Sequence, residues 1–269
     1  MPEGHVIHRL AGRYADAFGG DVVRVDSPQG RFADGAKRVD DRVLTSTDAH
    51  GKQLFIGFGE NGWIRVHLGL YGKVAFGDGS PPAPVGAIRL RISTESAHAE
   101  LRGPTVCELL TSTEKSAVHD RLGPDPLRED ADPDDGWKRV RTSRVSIASL
   151  LMNQRIAAGV GNIYRAEVLF RQGIDPYRLG RNVTRDEWDR VWGDLVTLMR
   201  DGVRTGRIDT VAPQHTPEAM NRPPRVDDHG GEVYVYRRFG ADCLVCGESI
   251  RTDVVEGRNL FWCPGCQKG

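Results

Sequence analysis

Residues 243–266 read CLVCGESIRTDVVEGRNLFWCPGC. Two Cys-x-x-Cys pairs, Cys243/Cys246 and Cys263/Cys266, stand sixteen residues apart. That spacing fits a zinc ion held by four thiolates at the base of a β-hairpin. Four protein ligands leave the metal no open position, so its role is structural. It supplies folding energy that so short a segment lacks. The stretch Glu256-Gly257-Arg258-Asn259 between the pairs reads as the hairpin tip and offers Arg258 to solvent. A guanidinium there can grip a phosphate with two parallel hydrogen bonds. Clustered pairs of this kind read as metal ligands, not disulfides, in a cytosolic protein. The fifth cysteine, Cys107, stands alone.

Working outward, the chain has 269 residues, of which 39% are hydrophobic and 28% charged. That is one large domain or two ordinary ones. No apolar run approaches about 18 residues, and no basic segment followed by an apolar block opens the chain. A cytoplasmic protein without a membrane span is expected. Lys plus Arg equals Asp plus Glu, 37 each, but the charge is uneven. Residues 120–135 hold Asp120, Asp125, Glu129, Asp130, Asp132, Asp134 and Asp135 against Arg121 and Arg128. A neutral total therefore conceals a net basic remainder, compatible with a nucleic-acid partner.

The hydrophobic period divides the chain. Ile7, Leu10, Ala11, Tyr14 and Phe18 fall on one helical face, ended by Gly19-Gly20. From 21 to about 110 short strand-like runs alternate with turns such as Glu60-Asn61-Gly62, predicting a β-sandwich with the first helix packed on it. An acidic, Pro-containing linker follows. Helices are then predicted over Val145–Gln154 and Ile163–Gln172, with the turn Gly159-Val160-Gly161-Asn162 between them. Thr184-Arg185-Asp186-Glu187 is a capping box opening a third. Residues 206–231 are polar and without period, and Glu232–Tyr236 reads as a strand. The expected organisation is α+β and multidomain: 1–122 a β-sandwich domain, 123–134 a linker, 135–231 a helical domain, 232–269 the zinc finger.

Four further positions carry chemistry. Met1-Pro2-Glu3 would expose a secondary amine on loss of Met1. An α-amine titrates near about 8, so a useful fraction is an unprotonated nucleophile at neutral pH, and Glu3 can move protons beside it. The glycines of 159–161 let backbone approach an anion at a helix start, where Asn162 can cap the helix and donate to a phosphate. Lys52 opens an apolar strand, and His67-Leu68-Gly69-Leu70-Tyr71-Gly72 is a Gly-rich turn carrying apolar wedges.

In this order the signals resemble the formamidopyrimidine-DNA glycosylase / endonuclease VIII family of base-excision repair enzymes. Met1-Pro2-Glu3-Gly4 looks like its N-terminal nucleophile motif and Gly51-Lys52 like its β-hairpin lysine. Leu122–Leu127 is similar to the entry to its second domain, Ala158–Phe170 to its helix-two-turns-helix signature, and 235–267 to its terminal zinc finger. The resemblance implies catalytic Pro2, Glu3 and Lys52. It implies DNA contacts from Asn162, Arg258, Leu70 and Tyr71, one structural zinc on Cys243, Cys246, Cys263 and Cys266, and a monomer acting on damaged double-stranded DNA. The implied activity is glycosylase plus abasic-site lyase through a Pro2 Schiff base.

Departures bear on substrate. His5-Val6 replaces the family's usual Pro-Glu, and no Asp-Pro-Arg-Arg-Phe-Gly stretch occurs near Leu101-Arg102-Gly103-Pro104. Leu70-Tyr71-Gly72 looks like the void-filling turn of the endonuclease VIII branch, which favours oxidised pyrimidines over 8-oxoguanine or formamidopyrimidines. Tyr236-Arg237-Arg238 stands where Tyr-Gly-Arg is expected. The rival from another class is a non-catalytic zinc-finger sensor of damaged DNA, which needs the cysteines, Asn162 and Arg258 but not Pro2, Glu3 or Lys52.

Overall fold

The computed structural model describes residues 2–227 and 231–268. The chain forms two compact units, Met1–Arg121 and Leu122–Gly269.

The first unit opens with α1 (Gly4–Phe18), which buries Ile7, Leu10, Ala11, Tyr14 and Phe18 as the spacing predicts. Each such side chain removed from water contributes on the order of 2 kcal/mol. After it come β1 (Val22–Asp26), α2 (Ala33–Val39), β2 (Arg42–Val43), β3 (Ser46–His50), β4 (Gln53–Gly57) and β5 (Trp63–His67). β6 (Lys73–Asp78), β7 (Leu90–Ser93), β8 (Ala97–Arg102), β9 (Val106–Leu110) and α3 (Ser112–His119) complete the unit. Two antiparallel sheets result, ordered β2-β1-β7-β8-β6 and β3-β4-β5-β9. Their apolar residues share one core with α1. The helix is tied to both sheets: Thr47 Oγ1 of β3 donates to the Ala11 carbonyl at 2.9 Å, and the Tyr14 ring meets Phe76 of β6 edge-on at 5.0 Å.

The second unit contains α4 (Pro133–Val140), α5 (Ile147–Met152), α6 (Asn162–Arg171), α7 (Arg185–Thr205) and the hairpin β10 (Arg251–Val255) and β11 (Arg258–Trp262). The Thr184–Glu187 capping box forms at the start of α7, and Gly206 ends it in the left-handed region at φ 77. A buried cluster including Leu151, Tyr164, Trp188, Leu195 and Phe261 joins helices and hairpin.

Three expectations are corrected. The acidic segment 123–134 is packed: the Gly123 N–H donates to the Gln154 carbonyl at 2.8 Å, the Ala158 N–H to that of Pro124 at 2.9 Å, and Asp125 is buried. The helix expected over 145–154 is the shorter α5, because Asn153 leaves the helical region at φ −77, ψ 111 and turns the chain toward the glycines. Glu232–Tyr236 is not a strand. The N–H groups of Tyr234, Val235 and Tyr236 converge on the Glu167 carboxylate at 2.7, 2.9 and 2.8 Å, and three successive donors aimed at one acceptor group do not make a ladder. Part of 206–231 is ordered by ion pairs, Arg222 with Glu232 and Arg225 with Asp227, both at 2.7 Å; residues 228–230 lie outside the described residues.

Candidate functional site

In the first unit, α1 begins immediately after Glu3, its N-cap, and Glu3 is fully buried. Pro2 precedes it and is half-buried, while Met1 lies outside the described residues. His5, in the first turn, is held neutral: burial, then the positive charges of Arg9 and the N-terminal amine, pull its pKa from 6.5 to about 4. A carboxylate and a neutral imidazole thus flank the chain start. Cys107 is inert by comparison, since burial pushes its thiol up to about 12.

Lys52 sits in the two-residue turn joining β3 to β4, whose last paired residues are His50 and Gln53. Gly51 takes φ 60 there, a left-handed value that favours glycine. The turn lies near the end of β5. Burial first, then the charges of Lys52 and Arg65, lower the pKa of His67. The imidazole Nδ1 of His67 accepts from the Gly69 N–H at 3.2 Å, shaping the loop to β6. Gly69 has φ 67, and a Cβ there would stand 1.8 Å from Thr105 Oγ1, so only glycine fits. Beyond it Leu70 is 58% and Tyr71 85% exposed. Two large apolar side chains thus stand exposed at a loop tip next to buried Leu68.

In the second unit the glycine corner and the hairpin meet. The Gln154 side chain staples the corner, accepting from the Gly159 N–H and donating to the Val160 carbonyl, both at 3.0 Å. Gly159 takes φ 88. The N-cap of α6 is Gly161, not Asn162. Asn162 is the first helical residue, and its Nδ2 donates to the Asn259 carbonyl of β11 at 2.9 Å. Its Oδ1 accepts from Arg165, whose guanidinium also reaches Asn259 O at 3.2 Å. The capping expected of Asn162 is therefore corrected. The side chain joins the corner to the hairpin, one residue from Arg258. Arg258 itself is exposed at the start of β11, after a two-residue turn with Glu256 at φ 51 and Gly257 at φ 72, the geometry of a type I′ hairpin.

The four cysteine sulfurs lie within 4.8 Å of one another, with Cys243–Cys266 at 3.8 Å and Cys246–Cys263 at 3.4 Å. A Zn–S bond of about 2.3 Å places tetrahedral sulfurs about 3.8 Å apart, so the set fits one zinc. Burial pushes the Cys263 thiol up to about 11, a penalty that a metal cation beside it reverses. Sequence reasoning missed Arg165 and Glu167; only the run of polar residues inside an otherwise buried helix, Asn162, Arg165 and Glu167, signals them.

The formamidopyrimidine-DNA glycosylase N-terminal domain family matches residues 1–104 and the family's H2TH domain residues 122–213. The zinc finger found in Fpg and IleRS matches residues 242–269. The chain belongs to the formamidopyrimidine-DNA glycosylase / endonuclease 8 family of DNA repair glycosylases. Endonuclease 8 1 of Mycobacterium tuberculosis (strain ATCC 25618 / H37Rv) is 48% identical over 274 residues, covering 99% of this chain and all of the relative. Formamidopyrimidine-DNA glycosylase of Prochlorococcus marinus (strain MIT 9215) is 30% identical over 77% of this chain and 71% of its own length. Among solved structures, a complex of Lactococcus lactis Fpg with DNA containing an abasic site has a similar fold, with TM-score 0.80 at 20% identity over 99% of this chain and 100% of that one. Family membership makes the protein an enzyme and removes the reading as a non-catalytic sensor. No helix among the described residues is long and apolar enough to cross a membrane.

Proposed function

We propose that this chain is a base-excision enzyme of the bacterial cytoplasm that removes oxidised pyrimidines from double-stranded DNA, joining glycosylase and abasic-site lyase activity at Pro2. The observation that carries the chemistry is a buried carboxylate, Glu3, next to the residue whose nitrogen becomes the chain terminus when Met1 is removed. The secondary amine attacks C1′ of the damaged nucleotide. Glu3 supplies the proton that accompanies base departure and ring opening. The C–N bond formed becomes an iminium, whose positive charge acidifies the 2′ hydrogen. Loss of that proton expels the 3′ phosphate, and a second elimination expels the 5′ phosphate. No cofactor takes part; the zinc on Cys243, Cys246, Cys263 and Cys266 holds the hairpin that presents Arg258.

Lys52 and Arg258 bind phosphates flanking the lesion, and Asn162 supports the phosphate-facing corner. Leu70 and Tyr71 fill the gap left by the everted nucleotide. Eversion costs a few kcal/mol, and least for a non-planar base such as thymine glycol that stacks poorly. The exposed Leu70-Tyr71 loop tip and the 48% identity to an endonuclease 8 favour pyrimidine lesions.

The test is release of free base from single-lesion duplexes, with borohydride trapping of the covalent complex. Thymine glycol and 5-hydroxyuracil should be released fastest, and trapping should require a free Pro2. Faster release of 8-oxoguanine would overturn the substrate assignment, and absence of a trapped adduct would overturn the amine mechanism.

A further inference from the structure

Tyr177 stands on the loop after α6 and reaches the zinc-finger hairpin. That loop is fixed in place. The Ile147 N–H at the start of α5 donates to the Arg178 carbonyl at 2.8 Å, the Ala148 N–H to that of Pro176 at 3.2 Å, and the Tyr177 N–H to Asp175 Oδ1 at 2.9 Å. The Tyr177 ring meets Trp262 of β11 edge-on at 5.4 Å, and its hydroxyl donates to Asp253 Oδ2 of β10 at 2.6 Å. The other oxygen, Oδ1, accepts from the Val254 N–H at 2.7 Å. These two bonds, that from Tyr177 first, hold the Asp253 carboxyl below the usual carboxylate range, so it is charged at neutral pH.

The ladder fixes where that charge stands. Asp253 pairs with Leu260, Arg251 with Trp262 toward the cysteines, and Val255 with Arg258 toward the tip. Alternate residues of a strand share a face, so Asp253 is a diagonal neighbour of both Trp262 and Arg258, at a spacing of about 7–8 Å that long side chains cross. Tyr177 approaches Asp253 from the Trp262 side. On the tip side the Arg258 guanidinium is exposed, with no ion pair or hydrogen bond among the described residues.

We propose that Tyr177 is a positioning residue for Arg258, acting by holding the Asp253 carboxylate away from it. An exposed Asp–Arg pair is a weak interaction, yet a guanidinium engaged in one must break it before gripping a phosphate. With Asp253 fixed on the Tyr177 hydroxyl, the Arg258 fork keeps its full charge and stays open to the DNA backbone. The acid thus ties the hairpin to the 175–178 loop without competing with the phosphate.

The inference rests on the reading of Arg258 as a phosphate ligand, and the experiment separates the two. The probe is a duplex with a tetrahydrofuran abasic-site analogue, bound by the zinc-loaded full chain lacking Met1 over a range of salt. Arg258→Ala should weaken binding about tenfold and lower the salt slope by about one. Tyr177→Phe keeps the ring on Trp262 and deletes only the hydroxyl. It should weaken binding about threefold, the scale of an exposed ion pair, and lower the salt slope by less than Arg258→Ala does. Adding Asp253→Asn to Tyr177→Phe should restore wild-type affinity or better, and gain more there than it gains in the wild-type chain. Tyr177→Phe should add nothing to Arg258→Ala. A Tyr177 that merely braces the hairpin predicts the opposite: its loss persists beside Asp253→Asn and beside Arg258→Ala, and the inference is then wrong. If Arg258→Ala weakens binding while Tyr177→Phe binds as wild type, the inference is also wrong and Arg258 stands. If Arg258→Ala itself binds as wild type, both fall.

Discussion

His5 is 4% exposed, in the first turn of α1, and its pKa lies at about 4 against 6.5 for a free imidazole. The cause is chiefly burial, then Arg9 and the terminal amine, all of which disfavour the cation. Above pH 6.5 the imidazole is neutral folded or unfolded, and pH has no leverage through it. As pH falls from 6.5 toward 4, the unfolded chain binds a proton that the folded chain refuses. Unfolding then becomes easier by about 1.4 kcal/mol per pH unit, to a total of about 3 kcal/mol. Below pH 4 both states are protonated and the loss stops growing. The carboxylates of the chain also titrate in acid, so the informative quantity is a difference between proteins. His5→Gln cannot titrate and lacks this slope. Denaturant unfolding at pH 7.5, 6.5, 5.5 and 4.5, followed by circular dichroism, should give a wild-type-minus-variant stability difference that shrinks or inverts by about 2–3 kcal/mol as pH falls. In parallel the ring resonance of His5 should stay at its neutral shift to below pH 5. Parallel stability curves, or a resonance that titrates near 6.5, would refute the account of a buried neutral imidazole in the first turn of α1.

Arg237 sits at φ 54 with its guanidinium 5.6 Å over Tyr236 and 3.6 Å from Asp227. A left-handed non-glycine residue costs about 1 kcal/mol, so Arg237→Gly should be more stable than Arg237→Ala by about that amount in thermal unfolding; equal stabilities would deny the strain. Glu167→Gln removes a carboxylate that accepts three backbone N–H groups and the Thr210 hydroxyl, and should cost about 3 kcal/mol by denaturant titration. A loss under 1 kcal/mol would mean the 234–236 turn holds itself. Stripping zinc with a chelator should unfold the β10–β11 hairpin while leaving the first unit intact, seen as protease cleavage confined to residues 240–268. Cleavage spread evenly over the chain would contradict that independence.

What the sequence discloses follows from how each element is stabilised. α1 and α7 bury apolar faces at the helical period, and α7 carries its own cap, so both are visible in the spacing of Ile7–Phe18 and in Thr184–Glu187. The cysteines announce their site because metal coordination is a local constraint with a fixed spacing. β3 and α3 give no such signal. Ser46–His50 buries only Ala49, and α3 is held by Lys115 and His119, so neither has an apolar period to read.

The misread segment at 232–236 shows the physical limit most clearly. Val233, Tyr234, Val235 and Tyr236 are all buried, and buried β-branched and aromatic residues in a run look like a strand. Pattern reports burial, whereas strand pairing is decided by where the N–H groups go. Here they go to Glu167, some seventy residues earlier and itself hidden in a helix. The same logic governs Asn162. A sequence shows an amide at a helix start and suggests a cap, but the side chain satisfies the Asn259 carbonyl across the unit. Both contacts tie α6 to the segment that ends at the cysteines, Glu167 at one end and Asn162 at the hairpin. The zinc-finger segment, with exposed Arg258 on its hairpin, is therefore held to α6 by two buried polar side chains as well as by the metal. Losing either side chain should shift that arginine without touching a single zinc ligand.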